Sequence, residues 1–206
     1  GQVVVKNSAA TLNNCTADLL GGQVALDGSY DTKNVAKPAF NMDMALQNIG
    51  FRDAYMNFAT VKTFAPIAQS IDGRFNTSLS IAGLMGKDMT PDFATLSAAG
   101  FLETINAIVN NFKPFNEMGS KLNLSYMQKL ELKNTRNWFE IKNGQVTIKP
   151  FNLQMQDVAM QIGGSHSLTS DMNYQVLTKV PRSSMGSAAN SGLNLLASEA
   201  SKVGVS

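Results

Sequence analysis

The sequence predicts a mainly β protein of α+β type. The expected architecture is a long curved antiparallel meander of roughly nine to twelve strands, with two or three short helices packed at one face or end. Three observations carry that expectation. Apolar and polar residues alternate through most of the chain, as a strand with one solvated face requires. Turn pairs such as Gly21-Gly22 and Asn143-Gly144 punctuate the alternation at hairpin spacing. From Phe51 the apolar spacing changes to three and four, the period of a helix.

The chain opens with the β-branched run QVVVKNSAATL, expected to end at Asn13-Asn14. CTADLLGG and QVALDGSYD flank the Gly-Gly turn, and Val24, Leu26, Gly28 and Tyr30 share a face. In AFNMDMALQNIGF, Phe40, Met42, Met44 and Leu46 face one way, while Asn41, Asp43 and Gln47 mark the polar side. Phe51, Ala54, Tyr55, Phe58, Val61 and Ala65 then form a helical stripe. Pro66 lacks the N–H that a continuing helix needs, so two short helices are expected, stopped by Asp72-Gly73.

A strand follows, with Phe75, Leu79 and Ile81 against Asn76, Ser78 and Ser80. GLMGKDMTPDFATLSAAG reads as a connection punctuated by Gly and Pro. FLETINAIVNNF alternates through Phe101, Ile105, Ala107 and Val109. Pro114 begins a short helix that packs Phe115, Met118 and Leu122 together.

Asn143-Gly144 is the preferred pair for a two-residue type I′ turn, and it fixes a register. Ile141 then faces Val146, and Phe139 faces Ile148. The first residue of each pair is odd and the second even, the parity change such a turn requires. Leu153 and Met155 follow, and a turn at Gln156-Asp157 hands the apolar face to Val158, Met160 and Ile162. Met172, Tyr174, Val176 and Val180 form the last strand, which Pro181 ends. The tail carries Leu193, Leu195, Leu196 and Val203 among Ala and Ser, as a short helix does, and the parent chain is expected to continue.

The 206 residues suffice for one sizeable core, and a single domain over 1–206 is expected. Charged residues are only 16%, replaced by uncharged polar ones, a balance that suits solvent faces of extracytoplasmic β proteins. The net charge of +2, without a Lys/Arg cluster, argues against nucleic acid. Cys15 is the sole cysteine, so no internal disulfide forms. No apolar run approaches the ~20 residues that span a bilayer. The opening GQVVVKN has no signal-peptide pattern and reads as the trimmed start of a longer chain.

The reactive inventory is poor, and no enzyme is expected. Nothing places the sole histidine, His166, beside Cys15 as base and nucleophile. His166 shares parity with Ile162 and Leu168, which suits a partly buried histidine with a backbone partner. DGSYD and DMTPD lack calcium-loop spacing, and zinc needs more Cys or His than the chain has. GLMGKDMT fails the phosphate-loop spacing. Nothing supports a carboxylate pair such as Glu103 with Glu131, and the sequons at Asn14, Asn76 and Asn123 read as chance matches. No cofactor is called for. Met42, Met44, Met155, Met160 and Met172 lie at inward positions, where they either fill a core or soften an apolar trough. Trp138 has parity opposite to Phe139 and is expected on the solvent side, where with Tyr174 it would be a sugar-stacking candidate.

The order of these motifs resembles the AsmA-like C-terminal region family over about residues 15–200, in a variant most like those of Bacteroidetes. The matching features are Asp88, Met89 and Pro91 at the end of the connection that follows a Gly-rich strand, and Phe139, Ile141, Asn143 and Gly144 in a hairpin. Gly164, Ser165, Ser167 and Leu168 follow at a strand turn, and Val180-Pro181 closes the set. The resemblance implies a non-catalytic periplasmic protein linked to outer-membrane assembly. It implies an inner-membrane anchor in an N-terminal helix absent from this chain. It also implies kinship with bridge-like lipid-transfer proteins, whose open sheets carry lipid on an apolar face.

On that reading a phospholipid or other envelope lipid lies on a groove of Leu79, Ile81, Ile105, Phe139, Ile141, Val146, Ile148, Met160, Ile162 and Val176. About ten strands at ~4.8 Å give a track roughly 45 Å long. Each buried CH₂ contributes about 0.8 kcal/mol, so a tail needs no specific polar contact. A structural or chaperone-like module, pairing its sheet edge with outer-membrane protein strands, is the alternative. The deciding question is whether the helices cap the apolar face. A fully capped face is the core of a two-layer domain.

Overall fold

The computed structural model describes residues 1–86, 88–122, 129–156, 158–167, 172–181 and 183 of the chain. Eleven strands form one antiparallel sheet, and three α-helices occur among the described residues. The strands are β1 Gln2–Lys6, β2 Ala9–Leu19, β3 Gly22–Asp31, β4 Ala39–Gly50, β5 Ile71–Leu84 and β6 Ser97–Asn110. They continue as β7 Lys129–Leu132, β8 Arg136–Lys142, β9 Gln145–Met155, β10 Val158–Ser167 and β11 Met172–Lys179. Spatial order follows chain order, except that β7 and β8 share β6 as a neighbour. The mainly β meander with short helices is therefore the fold.

Between β4 and β5 lie α1 Phe51–Asn57 and α2 Ala59–Phe64, then a 3-10 turn at Pro66–Ser70. The break between the helices comes at Phe58, which is extended at φ −111° and ψ 116°. Pro66 sits at the start of the 3-10 turn, where its missing N–H is harmless. The helical segment ends earlier than expected. β5 begins at Ile71, and Gly73 within it, at φ +139°, lies opposite a bulge in β6 and packs on the Ala107 backbone. A Cβ there would lie 2.6 Å from the Ala107 Cα, so this position needs glycine for both space and conformation.

The N-terminal run is two strands rather than one. Asn7 and Ser8, at φ 53° and 60°, form a two-residue turn between β1 and β2. Asn13-Asn14 does not end a strand but marks a bulge within β2, with Asn14 at φ 49°. The Asn143-Gly144 hairpin has the expected register, Ile141 opposite Val146 and Phe139 opposite Ile148. Val158 pairs with Met155 across the next turn, while Asp157 itself lies outside the described residues. The packing of Phe115, Met118 and Leu122 on α3 Lys113–Leu122, the side chain of Met172, Leu168 and the tail leucines also lie outside them.

One face of the sheet, the inner face, carries α1, α2 and the 3-10 turn. Leu46 and Ile49 of β4 share a buried cluster with Phe51, Ala54 and Ala68 of the helical segment and with Leu153, Met155, Val158 and Met160 of β9 and β10. Strands far apart in the sheet therefore meet around the same helices, so the sheet curls over them. A second cluster joins Phe40, Leu96, Ala98, Ile141 and Val146 to Phe64 of α2.

Candidate functional site

Cross-strand pairs in an antiparallel sheet project to the same face, so the register converts the strands into rows. One row on the inner face runs Gly28, Met42, Ile81, Ala98, Ile141, Val146 and His166. Its central members, Ala98, Ile141 and Val146, are buried beneath Phe64. Further along the strands, Thr77, Leu153 and Met160 are buried as well.

Between these two buried zones lies a different row: Leu26, Met44, Leu79, Gly100, Phe139, Ile148 and Gly164. Each of its members is only half-buried. The row is an apolar seam crossing seven strands, with side chains on five of them and glycine on β6 and β10. Beyond its N-terminal end the inner face becomes more open, with Val3 62% and Val5 77% exposed.

The residues expected to form one groove separate accordingly. Ile141, Val146 and Met160 are core, covered by the helical segment. Leu79, Ile81, Phe139, Ile148 and Ile162 are half-buried on the same face, and Val176 is 36% exposed near the β11 edge. Ile105 does not belong with them. It pairs with Arg74 on the outer face, while Ala107 and Val109 face inward. Asn106 between them, at φ 46°, is the bulge that reverses the parity. Phe101 is on the outer face for the same reason, and Leu102 takes the inner place.

Sequence reasoning missed Met44 and Leu26 as seam members, though their alternation was visible. It also missed Val3 and Val5, because three consecutive valines hide a period of two.

His166 is the most constrained polar group of the inner face. Its Nε2 lies 2.9 Å from the Phe64 carbonyl oxygen, which only accepts, so Nε2 carries the proton. Its Nδ1 then accepts from the Tyr174 hydroxyl at 2.9 Å. Burial pushes the imidazole pKa below 6.5, with the Phe64 hydrogen bond opposing, and burial also raises the Tyr174 hydroxyl. The chemistry is that of a clasp joining β10, β11 and the end of α2. Cys15 lies on β2, with six strands between it and β10.

The outer face is polar. Glu103 accepts from Arg136 at 2.6 and 2.7 Å, and Glu131 pairs with Lys133 at 2.7 Å, so each carboxylate has its own cation. Trp138 is 50% exposed there, beside Phe101. Among the described residues no cluster of three or more His, Cys, Asp or Glu is placed to hold a metal ion. No helix among them is long and apolar enough to cross a membrane. No protein-family model, curated protein or solved structure matches the chain.

Proposed function

We propose that this chain is a non-catalytic cell-envelope module of the AsmA-like type, which holds or conducts lipid along the half-buried seam of its inner sheet face. The single observation that supports this reading is the seam itself, a row of partly exposed apolar residues between two closed clusters. Seven strands give six spacings, or about 29 Å. That is roughly twice the ~15 Å depth of one leaflet's hydrocarbon, so an acyl chain would lie on a track rather than in a pocket. The reading places the protein in the periplasm, held to the inner membrane by a segment of the parent protein, and links it to outer-membrane biogenesis. It is narrower than a groove over the whole face, because the helical segment fills the rest.

The test is native mass spectrometry of protein extracted from envelope, comparing wild type with Leu79→Asp and Ile141→Asp. The seam reading expects bound phospholipid in wild type and its loss in folded Leu79→Asp. Ile141→Asp should unfold, since an unpaired charge there costs on the order of 4 kcal/mol. Absence of lipid from wild type, or its full retention in Leu79→Asp, would sink the reading.

The chaperone-like reading rests on another observation. β1 is an outer strand whose five residues are all exposed, and three of them are valines. Under it, Val4→Pro rather than Leu79→Asp should abolish protection of an unfolded outer-membrane barrel against aggregation.

A further inference from the structure

The outer face carries a trough whose floor and flank side chains the lipid reading does not use, although Met44, Leu79 and Gly100 of the seam also line it. Its floor follows from the register. Ala25, Ala45 and Ser78 are direct cross-strand neighbours on β3, β4 and β5, and the same row continues into Phe101 of β6 and Trp138 of β8. Three small side chains followed by two large rings leave a depression of about 340 Å³. One row over, Asp27, Asp43 and Ser80 stand side by side along its flank.

Two features of this trough are unfavourable for the fold alone. The first is Trp138, half exposed on a solvent face. It is held by Phe101, with ring centroids 5.3 Å apart at 62°. Phe101 is covered in turn by the Arg136 guanidinium at 4.3 Å, which Glu103 fixes. The indole is therefore mounted rigidly and leaves a face to solvent. The second is the Asp27–Asp43 pair. Like charges directly opposite each other weaken a sheet. Among the described residues neither has an ion-pair partner. Each accepts one hydrogen bond, Asp27 from the Asn14 backbone N–H at 2.7 Å and Asp43 from the Ser80 hydroxyl. The second oxygen of each remains available as an acceptor.

We propose that this trough binds a neutral oligosaccharide laid across the strands. The C–H face of one ring stacks on Trp138, and hydroxyls further along donate to Asp27 and Asp43. From β3 to β8 there are four strand spacings, about 19 Å, which is more than one sugar ring spans. The uncharged small-residue floor admits the rings. The carboxylate flank repels phosphorylated or uronic-acid chains, and the polar surroundings disfavour an acyl chain. The concave, mostly apolar floor with a few directed polar groups is the usual form of a small-ligand site.

Trp138 is the only tryptophan, so its fluorescence reads the trough directly. The probes are cellotetraose, maltotetraose and chitotetraose, with tetragalacturonate and tetralysine as charged controls. At least one neutral tetrasaccharide should shift the emission saturably, with a dissociation constant between about 1 μM and 1 mM. Ala45→Leu, which fills the floor from a solvent-facing position, should weaken binding by about tenfold or more with the melting temperature unchanged. Asp27→Asn with Asp43→Asn should weaken it too, read by calorimetry. Should Ala45→Leu fail to fold, Ser78→Leu makes the same test. The proposal is overturned by no saturable shift from any neutral probe up to about 10 mM, by undiminished affinity in the folded floor variant, or by tighter binding of either charged control.

Discussion

Asparagine supplies seven of the eleven non-glycine residues at positive φ among the described residues. Asn7, Asn14, Asn48, Asn106, Asn111, Asn134 and Asn143 all have positive φ, a region that costs other L-residues roughly 1–2 kcal/mol. Short polar side chains tolerate it because they bond locally. At Asn48 the exposed backbone groups are also recruited: its N–H donates to Asn76, and Arg74 donates to its carbonyl and side chain. Only Asn143 was legible beforehand, since a following glycine makes a hairpin turn recognisable. An asparagine between alternating residues, such as Asn106, looks like any polar strand position, which is why alternation alone puts Ile105 on the wrong face. His166 was readable as a half-buried histidine, but its partners were not, because Phe64 is 102 residues away in sequence. Its folded state favours the neutral ring, chiefly through burial. The unfolded chain therefore binds the proton more readily, and stability is full above pH 6.5 and falls as the pH drops below it. Urea titrations at a series of pH values should show this slope in wild type and its reduction in His166→Gln. Equal slopes would mean that the clasp does not titrate.

At the scale of elements, a side chain rather than a ladder pair joins β7 to β8. Both strands lie along β6, β7 beside Ala107–Asn110 and β8 beside Ser97–Glu103. At the junction the Thr104 hydroxyl donates to the Leu132 carbonyl at 2.9 Å and accepts from the Thr135 N–H at 3.1 Å. Thr104 is only 2% exposed, so water does not replace those bonds. Thr104→Val keeps the shape and strands both backbone groups, which should cost about 1–3 kcal/mol in chemical denaturation. A loss below about 0.5 kcal/mol would show the junction to be held by its neighbours instead. No sequence signal marked this junction, because a buried threonine in a strand is common. Helices α1 and α2 were the opposite case. Their apolar spacing announced helix from Phe51, although the break falls at Phe58 rather than at Pro66, and the stripe of Phe51, Ala54 and Phe58 is the side that packs onto the sheet.

The whole molecule is uneven in its burial. Chain order equals spatial order through most of the sheet, so each strand depends mainly on its two neighbours and on the helical cap. The buried clusters under the cap reach β4 to β10, where the fully buried Ile49, Leu130 and Val158 lie. β1 has no buried residue and touches the rest of the sheet through β2 alone. Local opening needs little free energy where little apolar surface is closed, so native-state hydrogen exchange should be graded along the sheet. Amides of β5, β6, β9 and β10 should exchange only by global unfolding. Those of β1 should exchange through local opening, with protection at least about 100-fold lower, a difference of ~2.7 kcal/mol. The seam crosses this gradient, so its Leu26 end lies in the soft part of the sheet and its Ile148 end in the firm part. A lipid held on the seam would therefore tighten β3 preferentially, since that strand has the most closure to gain among those the seam crosses. Uniform protection from β1 to β10 would remove the soft entrance and leave the seam a packing boundary inside an evenly closed domain.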